Sequence, residues 1–377
     1  MTNNTVREPL FHIVKRGSLP LWKAIVIRAT AIISGILFSS VLCAIIFGAN
    51  PFSIIGSLFK GVFGTSRRFW LLFRDTALLL GVGLALIPAF KMKFWNLGGN
   101  GQILMGALVS VAIMRSIGQN STVLANILMV ICAVLIGMVW AVIPAIFKAF
   151  FKTNESLFTL MMNYIAVGLV SYFINKWSTN GSGVLGQIST GHLPEIANAH
   201  LLTIVVVAIL TAIMYVYMKH SKQGYEIAVV GESENTAKYI GVNVKKVIIR
   251  TLAISGAICG IVGLLLAGSI DHSISEQTAN NMGFTAIMVA WLAKFNPLIM
   301  ILSSLLIAFL TRGMSQVQTD FGITNDAVSD IVVGIIYFVV IGCEFFIRYQ
   351  LKFKKEKTAK KSNDFLSADN AKAKEEK

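Results

Sequence analysis

The sequence predicts an all-α polytopic membrane protein with about eight to ten transmembrane segments, and three observations predict it. The chain has 377 residues, of which 55% are hydrophobic and only 14% charged, and this excludes an ordinary soluble domain. Ala29 to Ala49 carries no charge and is long enough for a helix to cross a hydrocarbon core of about 30 Å. Several further stretches qualify, and the alternating short strands of a membrane β-barrel are missing from the sequence. The basic residues behind the net charge of +15 sit mainly in loops and tails, which is positive-inside topology and not a nucleic-acid surface.

Residues 1–23, with Arg7, Lys15, Arg16 and Lys23, read as a cytoplasmic N-terminus. The first apolar run, 24–47, is too long for a signal-peptide core and reads as an uncleaved span. Residues 52–68 are only moderately apolar and predict an interfacial helix ending at Arg67-Arg68, whose charges reach the headgroups. Spans follow at 72–91, 99–118, 122–147 and 157–175, with Lys148, Lys152 and Glu155 marking a short cytoplasmic turn. Residues 176–199, with Asn180-Gly181-Ser182-Gly183 and Pro194, read as an external loop before a span at 200–219. The loop 220–246 is flanked by Lys219, His220, Lys222, Lys245, Lys246 and Arg250 and should be cytoplasmic. Within it, Ser233 can cap a short polar helix that Gly241 closes in the left-handed conformation.

After a span at 247–270, parity decides the remainder. Both chain ends are basic and cytoplasmic, so the number of crossings is even. Residues 283–293 and 297–312 must then enter and leave before the last span, 326–347. Each is shorter than a full crossing, which predicts broken or re-entrant helices joined near Lys294-Phe295-Asn296-Pro297. The membrane domain therefore spans 24–347. Residues 348–377 are Lys- and Glu-rich, poor in apolar residues, and expected to form a disordered cytoplasmic tail that anionic lipid could hold.

Two elements place polar groups at membrane depth. Phe94-Trp-Asn-Leu-Gly-Gly-Asn-Gly-Gln102 interrupts helical regularity with glycines, and Asn96, Asn100 and Gln102 carry amides that need partners. Irregular backbone there must be covered by protein or line a watery cavity; tight helix packing explains the glycines but not three amides. Asn163 and Tyr164, in Met161-Met-Asn-Tyr164, are either helix–helix glue or pathway lining. Arg74, Asp75, Arg115, Asp330 and Glu344 lie near span ends, where anchoring or local pairing outweighs a proton relay. Cys43, Cys132, Cys259 and Cys343 sit unpaired in apolar stretches, and His12, His192, His200, His220 and His272 are scattered, so no metal or disulfide set is expected. No ATP phosphate loop, Gly-x-Ser-x-Gly or His-Glu-x-x-His occurs, so the sequence offers nothing for catalysis in this chain.

The polar loop is the most informative feature. Gly231, Glu232, Ala237, Tyr239, Gly241, Val242 and Asn243 resemble the coupling loop of bacterial ABC importer permeases for simple sugars and nucleosides. Trp95, Asn96, Gly98, Gly101 and Gln102 resemble that family's Phe-Asn-x-Gly-x-x-Gly-Gln element, with Asn100 where many members carry Glu. Met162-Asn163-Tyr164, Asn296-Pro297 and Ile254–Gly263 add to a resemblance that covers roughly residues 70–347. It implies the membrane subunit of an ATP-driven importer in the bacterial cytoplasmic membrane, paired with a second permease subunit, here a heterodimer. A cytoplasmic ATPase would hold the ATP and magnesium, and a lipoprotein or periplasmic binding protein would deliver the solute, so this chain needs no cofactor. Gly231, Glu232, Ser233, Ala237, Tyr239 and Gly241 would then form the coupling element, with Gly231 and Gly241 as the ends of a lever and Tyr239 bracing it. Trp95, Asn96, Asn100, Gln102, Asn163, Tyr164, Trp291 and Asn296 are the expected substrate pathway. The two sequence elements resemble nucleoside-type members more than ribose- or xylose-type ones, which favours a nucleoside as cargo. The alternative is a secondary, ion-coupled transporter of a small polar solute, which should instead bury an ion or proton site.

Overall fold

The computed structural model describes residues 11–15, 20–178, 184–195, 198, 200–323 and 327–353. Uncharged runs closed by capping side chains build its helices. Thirteen occur among the described residues, eight of them long and apolar enough to cross a membrane. The chain divides into two compact units, residues 52–333 and residues 1–51 with 334–377.

Helix α1 (Leu21–Phe47) belongs to the smaller unit, and the larger one begins with α2 (Pro51–Phe63), with Ile54, Leu58 and Val62 buried and Phe52 and Phe59 exposed. This is the expected interfacial helix, but it stops at Phe63. Thr65 accepts the Arg68 N–H and opens α3 (Ser66–Lys91), so Arg67 and Arg68 belong to the first turn of a span. Next come α4 (Gly99–Ile117), α5 (Thr122–Phe151, capped by Ser121) and α6 (Glu155–Trp177, capped by Asn154). They are followed by α7 (Leu201–His220), α8 (Lys222–Glu232) and α9 (Glu234–Tyr239). Asn243 caps α10 (Val244–Leu265), which ends in a π-helical turn, Leu266–Asp271, that the apolar pattern does not announce. The half-length α11 (Met282–Leu292) and α12 (Pro297–Phe321) complete the unit.

The core is built on α10, which packs most extensively against α5 and also against α3 and α4. Gly256 and Gly260 face Gly137, so the α5 and α10 backbones touch with no side chain between them. One expectation needs correction. Only α11 is shorter than a span; α12 runs on to Phe321 because its polar end finds partners on α2 and α3. Arg312 pairs with Asp75, and Asp320 accepts from Ser57 of α2 at 2.7 Å, so the charges that end the apolar window at 312 do not end the helix.

The smaller unit holds α1 (Leu21–Phe47) and, from Gly334 on, α13 (Ala327–Arg348); α1 brings Gly35 against Ile336. It also contains two strands that an all-helical reading lacks, β1 (Phe11–Lys15) and β2 (Tyr349–Phe353). They pair antiparallel, Phe11 opposite Phe353 and Lys15 opposite Tyr349. The ribbon takes the first residues of the expected tail into structure, while the run beyond Phe353 lies outside the described residues. The motif Asn180-Gly181-Ser182-Gly183 lies outside the described residues.

Candidate functional site

The polar loop folds as two helices rather than one. Gly231, expected at the end of a lever, lies buried in the last turn of α8 against Lys91 and Met92. Ser233 is the joint: its N–H bonds Val229 O at 3.1 Å, and its hydroxyl accepts the Thr236 N–H at 3.2 Å to open α9. Gly241, at φ +84°, closes α9 as expected, and the Val242 N–H reaches Ala237 O at 2.9 Å. Ala237 is fully buried beneath this turn, whereas Glu232 is exposed. Tyr239 is 92% exposed, so its ring braces nothing in this chain; it stands beside exposed Ile240 as an apolar tip on a polar loop. Arg250 of α10 bonds Glu226 of α8 at 2.9 Å, and with Gly231 against the end of α3 this ties the loop to both central helices.

The irregular segment 92–98 enters α4 through a set of amides. Asn163 of α6 accepts the Gly101 N–H and donates to Leu97 O, both at 2.8 Å. Asn96 is fully buried; its oxygen accepts the Gly98 N–H at 3.0 Å and Gln102 Nε2 at 3.3 Å, and its nitrogen donates to Ser255 of α10. Asn100 accepts the Gly283 N–H at 2.7 Å and so fastens α4 to α11. Asn296 caps α12 by accepting the Leu298 N–H at 3.0 Å.

These bonds sort the expected pathway residues. Asn96 and Gln102 are sealed in the protein, and Asn296 is an exposed helix cap. Asn100, Asn163 and Tyr164 do converge, on a cavity of about 280 Å³ between α4, α6 and α11. Trp95 and Trp291 form a separate group, stacked at 5.8 Å and about half exposed, with Phe90 and Phe295 against them. Four polar residues of the cavity wall fall outside the sequence expectation, Glu276, Gln277, Asn280 and Asn281. The polar run Ser273–Asn281 between two apolar segments is their signal. Asn280 and Asn281 hold φ of 38° and 53°, a left-handed conformation that asparagine tolerates better than most residues.

An ordered loop, 184–195, lies over the end of α10. The Ile188 N–H bonds His272 O at 2.8 Å, Leu193 N–H bonds Gly268 O at 3.0 Å, and the His192 and His272 rings stack at 3.9 Å. Burial, then the neighbouring His192, holds the His272 imidazole below its ordinary value, which favours the neutral ring at pH 7.

Spans wrapped on a glycine-packed central helix, a polar cavity at a broken helix and a rigid exposed loop define a membrane-spanning transport permease. The chain belongs to the family described as branched-chain amino acid transport system / permease component, whose model matches residues 69–341. It is similar to the guanosine ABC transporter permease protein NupP of Bacillus subtilis, 28% identical over 87% of this chain and 96% of that protein. Similarity extends to the glucose ABC transporter permease protein TsgB13 of Haloferax volcanii, 26% identical over 89% of this chain and 92% of the relative. The nucleoside ABC transporter permease protein NupB of Lactococcus lactis is 25% identical over 85% and 91%, respectively. No solved structure matches the chain. The chain is thus a permease subunit of an ABC importer, which answers the ion-coupled alternative.

Proposed function

We propose that this chain carries a nucleoside inward across the bacterial cytoplasmic membrane as one half of a heterodimeric permease. A cytoplasmic ATPase supplies ATP and magnesium, and a lipoprotein or periplasmic binding protein supplies the solute. The observation that carries the reading is the exposed, capped α9, joined through Ser233 to α8 and through α8 to α3 and α10. Closure of the ATPase on α9 would shift those two helices together, and the solute moves because outward- and inward-open states bind it differently. Tyr164 offers the aromatic ring that a nucleoside engages, in a cavity whose polar wall Asn100 and Asn163 hold in place through their main-chain bonds. The names of the guanosine and nucleoside relatives support this cargo, and the glucose relative keeps a free sugar as the second reading.

Uptake of radiolabelled guanosine, uridine and ribose, in cells with and without this gene, tests the cargo. Gene-dependent nucleoside uptake is expected; gene-dependent ribose uptake alone would reverse the choice. Both chain ends and α8–α9 are assigned to the cytoplasm, on the basic residues that flank them. A single cysteine at Asn235, in a cysteine-free background, should resist membrane-impermeant thiol reagents in intact cells and react once the membrane is opened. Labelling in intact cells would overturn this orientation.

A further inference from the structure

Beside the amide pocket lies a second cavity, of about 560 Å³, between α3, the π-helical turn, α11 and α12. Its wall carries Arg74 and Asp75, whose place near a span end suggests anchoring or local pairing, together with Arg312 and Asp271. Asp75 is held by two guanidiniums: Arg74 donates through Nε and Nη2 to one carboxylate oxygen, at 3.0 and 2.9 Å, and Arg312 donates to the other. Both carboxylate oxygens are engaged, while each arginine keeps N–H groups with no partner in this arrangement. Asp271 joins the same wall from the π-helical turn and has no hydrogen-bond or ion-pair partner among the described residues. π-Helical turns widen a helix locally and recur at functional sites, and this one presents Ile270 and Asp271 to the cavity.

The charges decide the ligand class. Two arginines against two aspartates leave the wall balanced, so an anion meets a carboxylate and a cation meets guanidiniums. A neutral polyol meets neither penalty, because a hydroxyl can donate to Asp271 and accept from Arg74 or Arg312. Thr278, Thr285 and Thr311 add further hydroxyls to the wall. Gln277 and Asn280 line both this cavity and the amide pocket, which makes them the partition between the two.

We infer that this cavity is a polyol subsite, which binds the sugar hydroxyls of the transported solute before the base reaches the amide pocket. Its ligand class rests on the importer reading, and its location rests on the geometry alone. The test uses the full chain in its complex, in opened membranes, with Thr311→Cys in a cysteine-free background and a small water-soluble thiol reagent. D-ribose and guanosine should slow labelling, whereas 2′,3′-dideoxyguanosine and inorganic phosphate should not. Asp271→Asn should raise the half-protecting ribose concentration by about tenfold or more, the loss expected for a hydrogen bond to a charged group. Gln277→Leu gives a second variant that leaves every wall charge in place and should also weaken protection by ribose. Equal protection by dideoxyguanosine or phosphate, no protection by ribose, or unchanged protection in both variants would overturn the subsite. Ribose protection in a system that imports neither nucleoside nor sugar would leave the subsite standing and remove the importer reading.

Discussion

Replacing Gly231 by valine is expected to reduce ATP-driven uptake to less than about a tenth of the wild-type rate, the scale on which a catalytic or coupling step is lost for about 1.4 kcal/mol. A β-carbon at this position runs into the carbonyl of Lys91 and crowds the Met92 backbone, and neither is a flexible side-chain end that could step aside. Overpacking of this kind costs about 1–3 kcal/mol, too little to unfold a chain whose core joins many long apolar helices but enough to push α8 off the end of α3. If α9 is the coupling helix, a push on it would pass to the membrane helices through the seat of Gly231 on Lys91, and valine would unseat it. Tyr239→Ala separates coupling from folding. Its ring is almost wholly exposed, so its removal should leave abundance and melting temperature within about 0.5 kcal/mol of wild type. If the ring seats in the ATPase, truncating it should cost about 2 kcal/mol or more of docking, as buried interface tyrosines do. Uptake and stimulation of the ATPase should both fall. Wild-type uptake by both variants would sink the coupling assignment.

The spans were legible because uncharged runs long enough for a bilayer leave little choice of structure, and every span read from the sequence is a helix. Misreadings arose where a charge or amide finds its partner far away in sequence. Arg312 reads as the end of α12 because nothing local announces that Asp75 of α3 accepts from it. Asn96 and Gln102 read as pathway lining because a buried amide must bond to something, and sequence cannot say whether that is solute or backbone. For Asn96 the structure answers with the Gly98 N–H and Ser255; Gln102 donates to Asn96, and its buried oxygen has no partner among the described residues. Ser233 and Gly241 were legible because caps act locally. The break between α8 and α9 was not, since Gly231 is helical only by virtue of packing on Lys91. β1 and β2 are five residues each and pair across almost the whole chain, so neither carries a signal without the other.

Asn163→Leu should destabilise the permease for every cargo, and this separates a positioning amide from a recognition amide. The side chain is 7% exposed and satisfies two main-chain groups at the entrance to α4, the Gly101 N–H and the Leu97 carbonyl. Leucine fills a similar volume but bonds neither. Each main-chain group left unpaired costs about 1–3 kcal/mol, so the expected loss is about 2–6 kcal/mol, a large share of a typical folding free energy. Thermal melting of the detergent-solubilised complex should show it, together with a fall in uptake of guanosine and ribose in equal proportion. Asn100→Leu removes one main-chain bond, to the Gly283 N–H, and a longer side-chain bond to Asn281 at 3.5 Å, and should melt at an intermediate temperature. Tyr164→Phe is the contrasting change. Its ring lines the cavity and is 72% exposed, so stability should hold while preference among nucleosides shifts. An Asn163→Leu variant that melts like wild type yet discriminates differently between guanosine and uridine would return this residue to the solute path. The Leu97 carbonyl and Gly101 N–H would then need another partner, and water entering from the adjoining cavity is the one the geometry offers.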